Sequence, residues 1–262
     1  MSKTAAAKDG ILVITMKTED PHPPSVTPSR LRRVGHKGAD LIAPGNTYGS
    51  FDAALAAGVD VIEFDVLPER GGDRLLLAHD YDDAASRIPL TLEQGLSHLA
   101  SEQFAGIELD VDLKLPGYER RVLATLRAFG MLKRTLISSH FGSTLATVRV
   151  TNPHVRLGWS VPRVRQDPFR SRALTLPARV LVRIARDGLP KRAANAIRAR
   201  RCDALMVHWR LVSEALLEAV FGAGGELYVW TVGDLMRLRE LESMGVTGVI
   251  TNDPRLFAKL AA

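Results

Sequence analysis

From Arg30 to the C-terminus, short apolar runs of strand character alternate with stretches of helical periodicity, and this alternation constrains the fold more than any other feature. Eight runs occur, at 31–36, 59–65, 105–113, 134–139, 155–160, 203–208, 226–231 and 246–251. Between them, Val122, Leu123, Leu126 and Phe129 recur at helical spacing, as do Leu235, Leu238 and Leu241. Thr91 followed by Gln94 predicts a capping box that opens another helix. The pattern predicts an α/β chain closed into a (β/α)8 TIM barrel, a single domain over 31–262. Active-site residues are then expected at the C-terminal ends of the strands.

Composition narrows the setting. The 262 residues are 46% hydrophobic and suffice for one large core. One cysteine, Cys202, excludes an intrachain disulfide and any zinc or redox cysteine cluster, and fits a reducing compartment. It reads as structural. Residues 1–30 form an N-terminal extension, loose or packed on the barrel. Its apolar run at 11–16 is too short for a signal-peptide core or membrane span and reads as an added strand or barrel plug; the proline-rich 18–30 stretch reads as a connector. A cytoplasmic protein is expected.

The formal charge of +6 is uneven: twelve basic residues against two acidic ones between Arg163 and Arg201 give a local +10. Arg179, Arg183 and Arg186 share one face of a predicted helix, opposite Val180, Leu181 and Ile184. The plain reading is a solvated helix face. The sharper one is peripheral contact between the 163–201 region and an anionic membrane. Interleaved aromatics and nucleic-acid motifs are missing, so no nucleic-acid partner is expected.

The run at 59–66 places Glu63 and Asp65 on one face of an otherwise apolar strand. Two such carboxylates are costly without a cation between them, either arginine side chains or a metal. Other predicted strand ends add His36, Lys37, Asp112, Lys114 and Trp230, and His79 follows the second strand. Oxygen-only ligands favour a hard divalent cation, Mg2+ or Ca2+. A cation with a histidine pair suits phosphodiester chemistry. Alternation also puts Glu108 and Asp110 on the face of Asp112, so the register of the third carboxylate is open. His140 and His208 end strands and read as pocket lining or packing, and Trp230 has a barrel-packing alternative. His22, His98 and His154 read as surface or loop residues, and 222–225 as a helix end.

Taken in order, the motifs are His36-Lys37-Gly38, Pro44-Gly45-Asn46-Thr47, Glu63-Phe64-Asp65, His79-Asp80, Asp112-Leu113-Lys114, Trp230-Thr231 and Thr251-Asn252-Asp253-Pro254. The set resembles the glycerophosphodiester phosphodiesterase family, within the wider phospholipase-C-like barrels that include the sphingomyelinase D enzymes. The resemblance implies that Glu63, Asp65 and Asp112 bind the metal, and that His36 and His79 are the catalytic acid/base pair. It also implies that Lys37 and Lys114 contact phosphate and that Trp230 walls the pocket, for a small-molecule or lipid phosphodiester substrate. Lys37 stands where the family has arginine, Gly45 replaces the glutamate of Pro-Glu-Asn-Thr, and Asp112 stands where glutamate is common. Only residues 81–104 separate His-Asp from the third acidic strand, which leaves an open mouth. Gly45, Asp112 and the short cap point to a sphingomyelinase-D- or lysophospholipase-D-like alternative. A non-catalytic lipid- or phosphate-binding barrel is the alternative of another class.

Overall fold

The structure, a computed structural model, describes residues 30–162 and 176–260. The 11–16 run, His22, the connector up to residue 29 and the part of the basic region from 163 to 175 lie outside the described residues.

Alternation of apolar residues along short segments yields nine strands among the described residues: β1 (Arg32–Gly35), β2 (Val61–Pro68), β3 (Leu75–Leu76), β4 (Glu108–Leu113), β5 (Thr135–Ser139), β6 (Arg156–Val161), β7 (Ala204–His208), β8 (Glu226–Trp230) and β9 (Gly248–Thr251). All but β3 are parallel, and pairing of β1 with both β2 and β9 closes the sheet into an eight-stranded barrel. The described helices are α1 (Tyr48–Ala56), α2 (Tyr81–Ser86), α3 (Leu92–Leu99), α4 (Glu119–Ala128), α5 (Gly142–Thr151), α6 (Leu176–Arg198), α7 (Glu214–Phe221) and α8 (Leu235–Met244). The predicted (β/α)8 barrel is the observed fold.

Period-two alternation divides the strand residues between two cores. Val34, Val61, Leu136, Ala204, Met206, Tyr228 and Ile250 pack together inside the barrel. Their neighbours, such as Ile62, Phe64, Val111, Leu205 and Val249, join the larger core shared with the helices. Helix starts follow local chemistry: Thr91 forms the expected capping box with Gln94, and Thr47 forms another with Ser50. Gly245, at φ 77°, ends α8 in the left-handed conformation that glycine adopts without steric cost.

Three local differences from the sequence expectations have clear causes. The third strand starts at Glu108 instead of 105, because a 3-10 turn at Glu102–Phe104 precedes it and the Ile107 N–H donates to the Phe104 carbonyl. The second strand runs on to Pro68 because β3 folds back antiparallel on it, Leu67 against Leu76. That short hairpin and α2 form the cap. Finally, His98 lies in the last turn of α3 and not in a loop; its side chain is partly exposed at the surface, with Nε2 2.8 Å from Asp52 Oδ1.

In α6, Leu189, Ala193, Ala194, Ala196 and Ile197 are buried while Arg183, Arg186, Lys191, Arg192 and Arg198 are exposed, an amphipathic arrangement over the described side chains; those of Arg179, Val180, Leu181 and Ile184 are not among them. Cys202 is buried and free, and burial pushes its thiol up to about 11, which suits the structural reading.

Candidate active site

The C-terminal ends of β1, β2 and β4 bring the acidic residues together. Strand pairing sets Asp65 opposite Asp112, and Glu63 opposite Asp110, which resolves the register. Glu63, Asp65 and Asp112 each offer a carboxylate oxygen within 4.8 Å of the others, and all three are buried. Asp110, one step deeper, accepts a 2.6 Å hydrogen bond from Ser138 Oγ. Glu108, at the opposite end, pairs with Arg32 and, at 2.9 Å, with Arg156. Neither joins the mouth.

Two features show that the three carboxylates fit a cation. Asp112 Oδ1 is buried with no hydrogen-bond partner. Lys114 Nζ lies 2.6 Å from Asp65 Oδ1 and 2.7 Å from Asp112 Oδ2, so the cluster already draws one positive charge into its midst. All donors are carboxylate oxygens, the set expected of a hard divalent ion.

The electrostatics follow from this crowding. Burial, then the neighbouring Asp65, holds the Glu63 carboxyl well above its usual range. Burial would also raise Asp65, but Lys114, His79, His36 and Lys37 outweigh it and hold that group below the ordinary carboxylate range. Burial disfavours the Lys114 charge, yet Asp112, Asp65 and Glu63 more than compensate and keep its pKa well above normal.

His36 and His79 flank the cluster differently. His36 Nδ1 donates to Asn252 Oδ1 at 2.5 Å, which leaves Nε2 facing Glu63 Oε2 at 3.9 Å. Burial lowers its pKa, favouring neutral imidazole. His79 is half exposed on the cap, its Nδ1 3.0 Å from Asp80 Oδ2, and it lies near enough to Asp65 to help hold that carboxylate ionised. Trp230 is partly exposed at the end of β8, with His140 and His208 edge-on to its ring at centroid distances of 6.1 and 5.2 Å. The expected site residues thus share the barrel mouth.

Two asparagines complete the arrangement and were quoted within motifs without a role. Asn46 is fully buried at φ 60°; its Nδ2 donates to Asp65 Oδ2 and its Oδ1 accepts the Asp65 N–H, each at 3.0 Å. Asn252 fixes the His36 ring. Their signal in the sequence was position beside the chemistry: Asn46 precedes the Thr47 cap and Asn252 follows β9.

Comparison with known proteins bears on the fold and the family. A glycerophosphodiester phosphodiesterase of Caldanaerobacter subterraneus is 22% identical over 87% of this chain and 96% of its own length. The crystal structure of a glycerophosphodiester phosphodiesterase from Agrobacterium tumefaciens superposes with a TM-score of 0.66 at 22% identity, covering 88% of this chain and 99% of that one. An Oleispira antarctica phosphodiesterase, solved with its product sn-glycerol-3-phosphate, gives 0.64 at 18% identity over 88% and 98%. The sequence model of the glycerophosphoryl diester phosphodiesterase family matches residues 124–256, just over half of the chain. That span begins after Lys114 and covers the second half of the barrel. The chain belongs to the glycerophosphoryl diester phosphodiesterase family, whose members are phosphoric diester hydrolases.

Proposed function

We propose that the enzyme hydrolyses glycerophosphodiesters to an alcohol and glycerol phosphate, or the related lysophospholipids to an alcohol and the acylated glycerol phosphate, using a Mg2+ or Ca2+ ion held by Glu63, Asp65 and Asp112. The observation that carries this reading is the convergence of three buried carboxylates within 4.8 Å at the barrel mouth. A divalent ion there supplies charge neutralisation and polarisation of the phosphoryl group. His36, neutral and oriented by Asn252, takes the proton from the attacking water or substrate hydroxyl at Nε2. His79, on the open cap beside Asp80, protonates the leaving alkoxide. Lys37 and Lys114 neutralise the phosphate, and Trp230 walls the substrate. The product complex of the Oleispira enzyme supports glycerol phosphate as the retained fragment.

Gly45, Asp112 and the short cap also favour a second reading, a sphingomyelinase-D- or lysophospholipase-D-like enzyme that releases the head group from sphingomyelin or lysophosphatidylcholine and leaves glycerophosphocholine untouched. One experiment decides between them. Glycerophosphocholine, lysophosphatidylcholine and sphingomyelin are each incubated with Mg2+, Ca2+ or chelator, using wild type and His36→Ala. The primary reading expects turnover of glycerophosphocholine that needs both the ion and His36; turnover indifferent to both would sink it.

The enzyme is read as cytoplasmic with peripheral contact at anionic membrane, supported by the exposed arginines of α6. Among the described residues no helix is long and apolar enough to cross a membrane. Co-sedimentation with vesicles that is indifferent to anionic lipid and to salt would overturn the membrane contact.

A further inference from the structure

Asp40 belongs to none of the motifs, yet its carboxylate joins two parts of the loop between β1 and α1. Oδ1 accepts the Gly45 N–H at 2.9 Å, and Oδ2 accepts from Lys37 Nζ at 3.2 Å. Lys37 is fixed from the other side as well: its N–H donates to Glu63 Oε2 at 2.7 Å and its carbonyl accepts the Asn46 N–H at 3.0 Å. Its φ of 50° is unusual for a residue with a side chain and sets the direction in which the stem leaves the backbone.

Gly45 makes room for this pair. A Cβ at that position would lie 2.5 Å from Asp40 Oδ1, 2.8 Å from Lys37 Cβ and 2.9 Å from Lys37 Cδ. Any side chain there must displace the lysine stem or the carboxylate that holds it. A lysine ammonium is a flexible point charge whose placement costs rotamer freedom unless a partner fixes it. The carboxylates of Asp65 and Glu63 attract the same ammonium. Without a counter-pull it would swing toward them.

We propose that Asp40 is a positioning residue for Lys37: it holds the ammonium at the mouth, away from Glu63 and Asp65, with N–H donors left for a substrate phosphate, in space that Gly45 provides. The inference rests on the reading of Lys37 as a phosphate contact. Asp40→Asn isolates the effect, because an amide oxygen still accepts the Gly45 N–H while the charge facing Lys37 is gone.

The test is steady-state kinetics on glycerophosphocholine with saturating Mg2+ for wild type, Asp40→Asn, Lys37→Met and the double variant, with thermal melts as the folding control. Asp40→Asn is expected to raise KM about tenfold, equivalent to roughly 1.4 kcal/mol, with kcat within about twofold. In the Lys37→Met background it adds nothing. An unchanged or lower KM for Asp40→Asn overturns the proposal, as does an equal rise in KM with and without Lys37. If Lys37→Met itself leaves KM unchanged, the phosphate-contact reading has failed, and the positioning role falls with it. Gly45→Ala provides a second route: it should raise KM in wild type and have no further effect on KM in the Lys37→Met background.

Discussion

The two ends of strand β4 carry the same chemistry to opposite results. Glu108, Asp110 and Asp112 lie at alternate positions on one face of one strand. At the N-terminal end Glu108 is matched by Arg32 and Arg156, and Arg156 reaches on to Glu226 and the Tyr228 hydroxyl. Midway, Asp110 accepts from Ser138 and makes no direct ion pair among the described residues; burial outweighs the more distant Lys114 and Arg156 and pushes its carboxyl up to about 7. At the C-terminal end Asp112 joins two more carboxylates around one lysine. What separates a structural acid from a candidate metal ligand is the local ratio of carboxylates to cations. The arginine-lined end is balanced; the mouth has an excess of negative charge.

Breaking each end in turn tests that contrast. The largest effect belongs to Asp112→Asn, which removes the charge of a proposed metal ligand: turnover should fall about a thousandfold or more while the melting temperature holds or rises. Turnover within tenfold of wild type would remove Asp112 from the site. His36→Ala should cost about a hundredfold or more in kcat with little change in stability, the usual scale for general acid/base loss. At the other end, Glu108→Gln should leave kcat and KM unchanged. Its denaturant unfolding should show a loss of roughly 1–2 kcal/mol, a figure reduced because these side chains are about one-third exposed.

The smallest effect concerns Asp110 and is a matter of pH. Its folded pKa of about 7 lies above the ordinary carboxylate value. The stability linked to it is therefore complete below about pH 4 and fades as pH rises through 7, since the unfolded chain gives up this proton first. Asp110→Asn should flatten that decline and gain on the order of 1 kcal/mol at pH 8. Parallel stability curves for the two proteins would show that Asp110 contributes no such dependence.

Much of this was legible in the residues, and the exceptions are physical. Period-two alternation gave the barrel strands, and motif order gave His36, Glu63, Asp65, His79, Asp112 and Lys114 as a set. Alternation could not choose among Glu108, Asp110 and Asp112, because all three satisfy it; the choice lies in the pairing of β2 with β4. Nor could it reveal Asn252, whose partner His36 is 216 residues away and is reached only when β9 closes on β1. Asp40 was hidden for a different reason. Its importance depends on empty space at Gly45, and a missing side chain leaves no pattern to read.

Lys114 has a consequence for how the enzyme matures. Its ammonium spans Asp65 and Asp112 from within the chain, so the cluster has a counter-ion of its own before any metal binds. On the proposed metal-dependent reading, the barrel closes first and the ion is loaded afterwards. Chelation should therefore silence the enzyme without unfolding it, and restoring the ion should return activity on the timescale of binding instead of refolding. In cells, activity would then follow ion supply while protein abundance stays level.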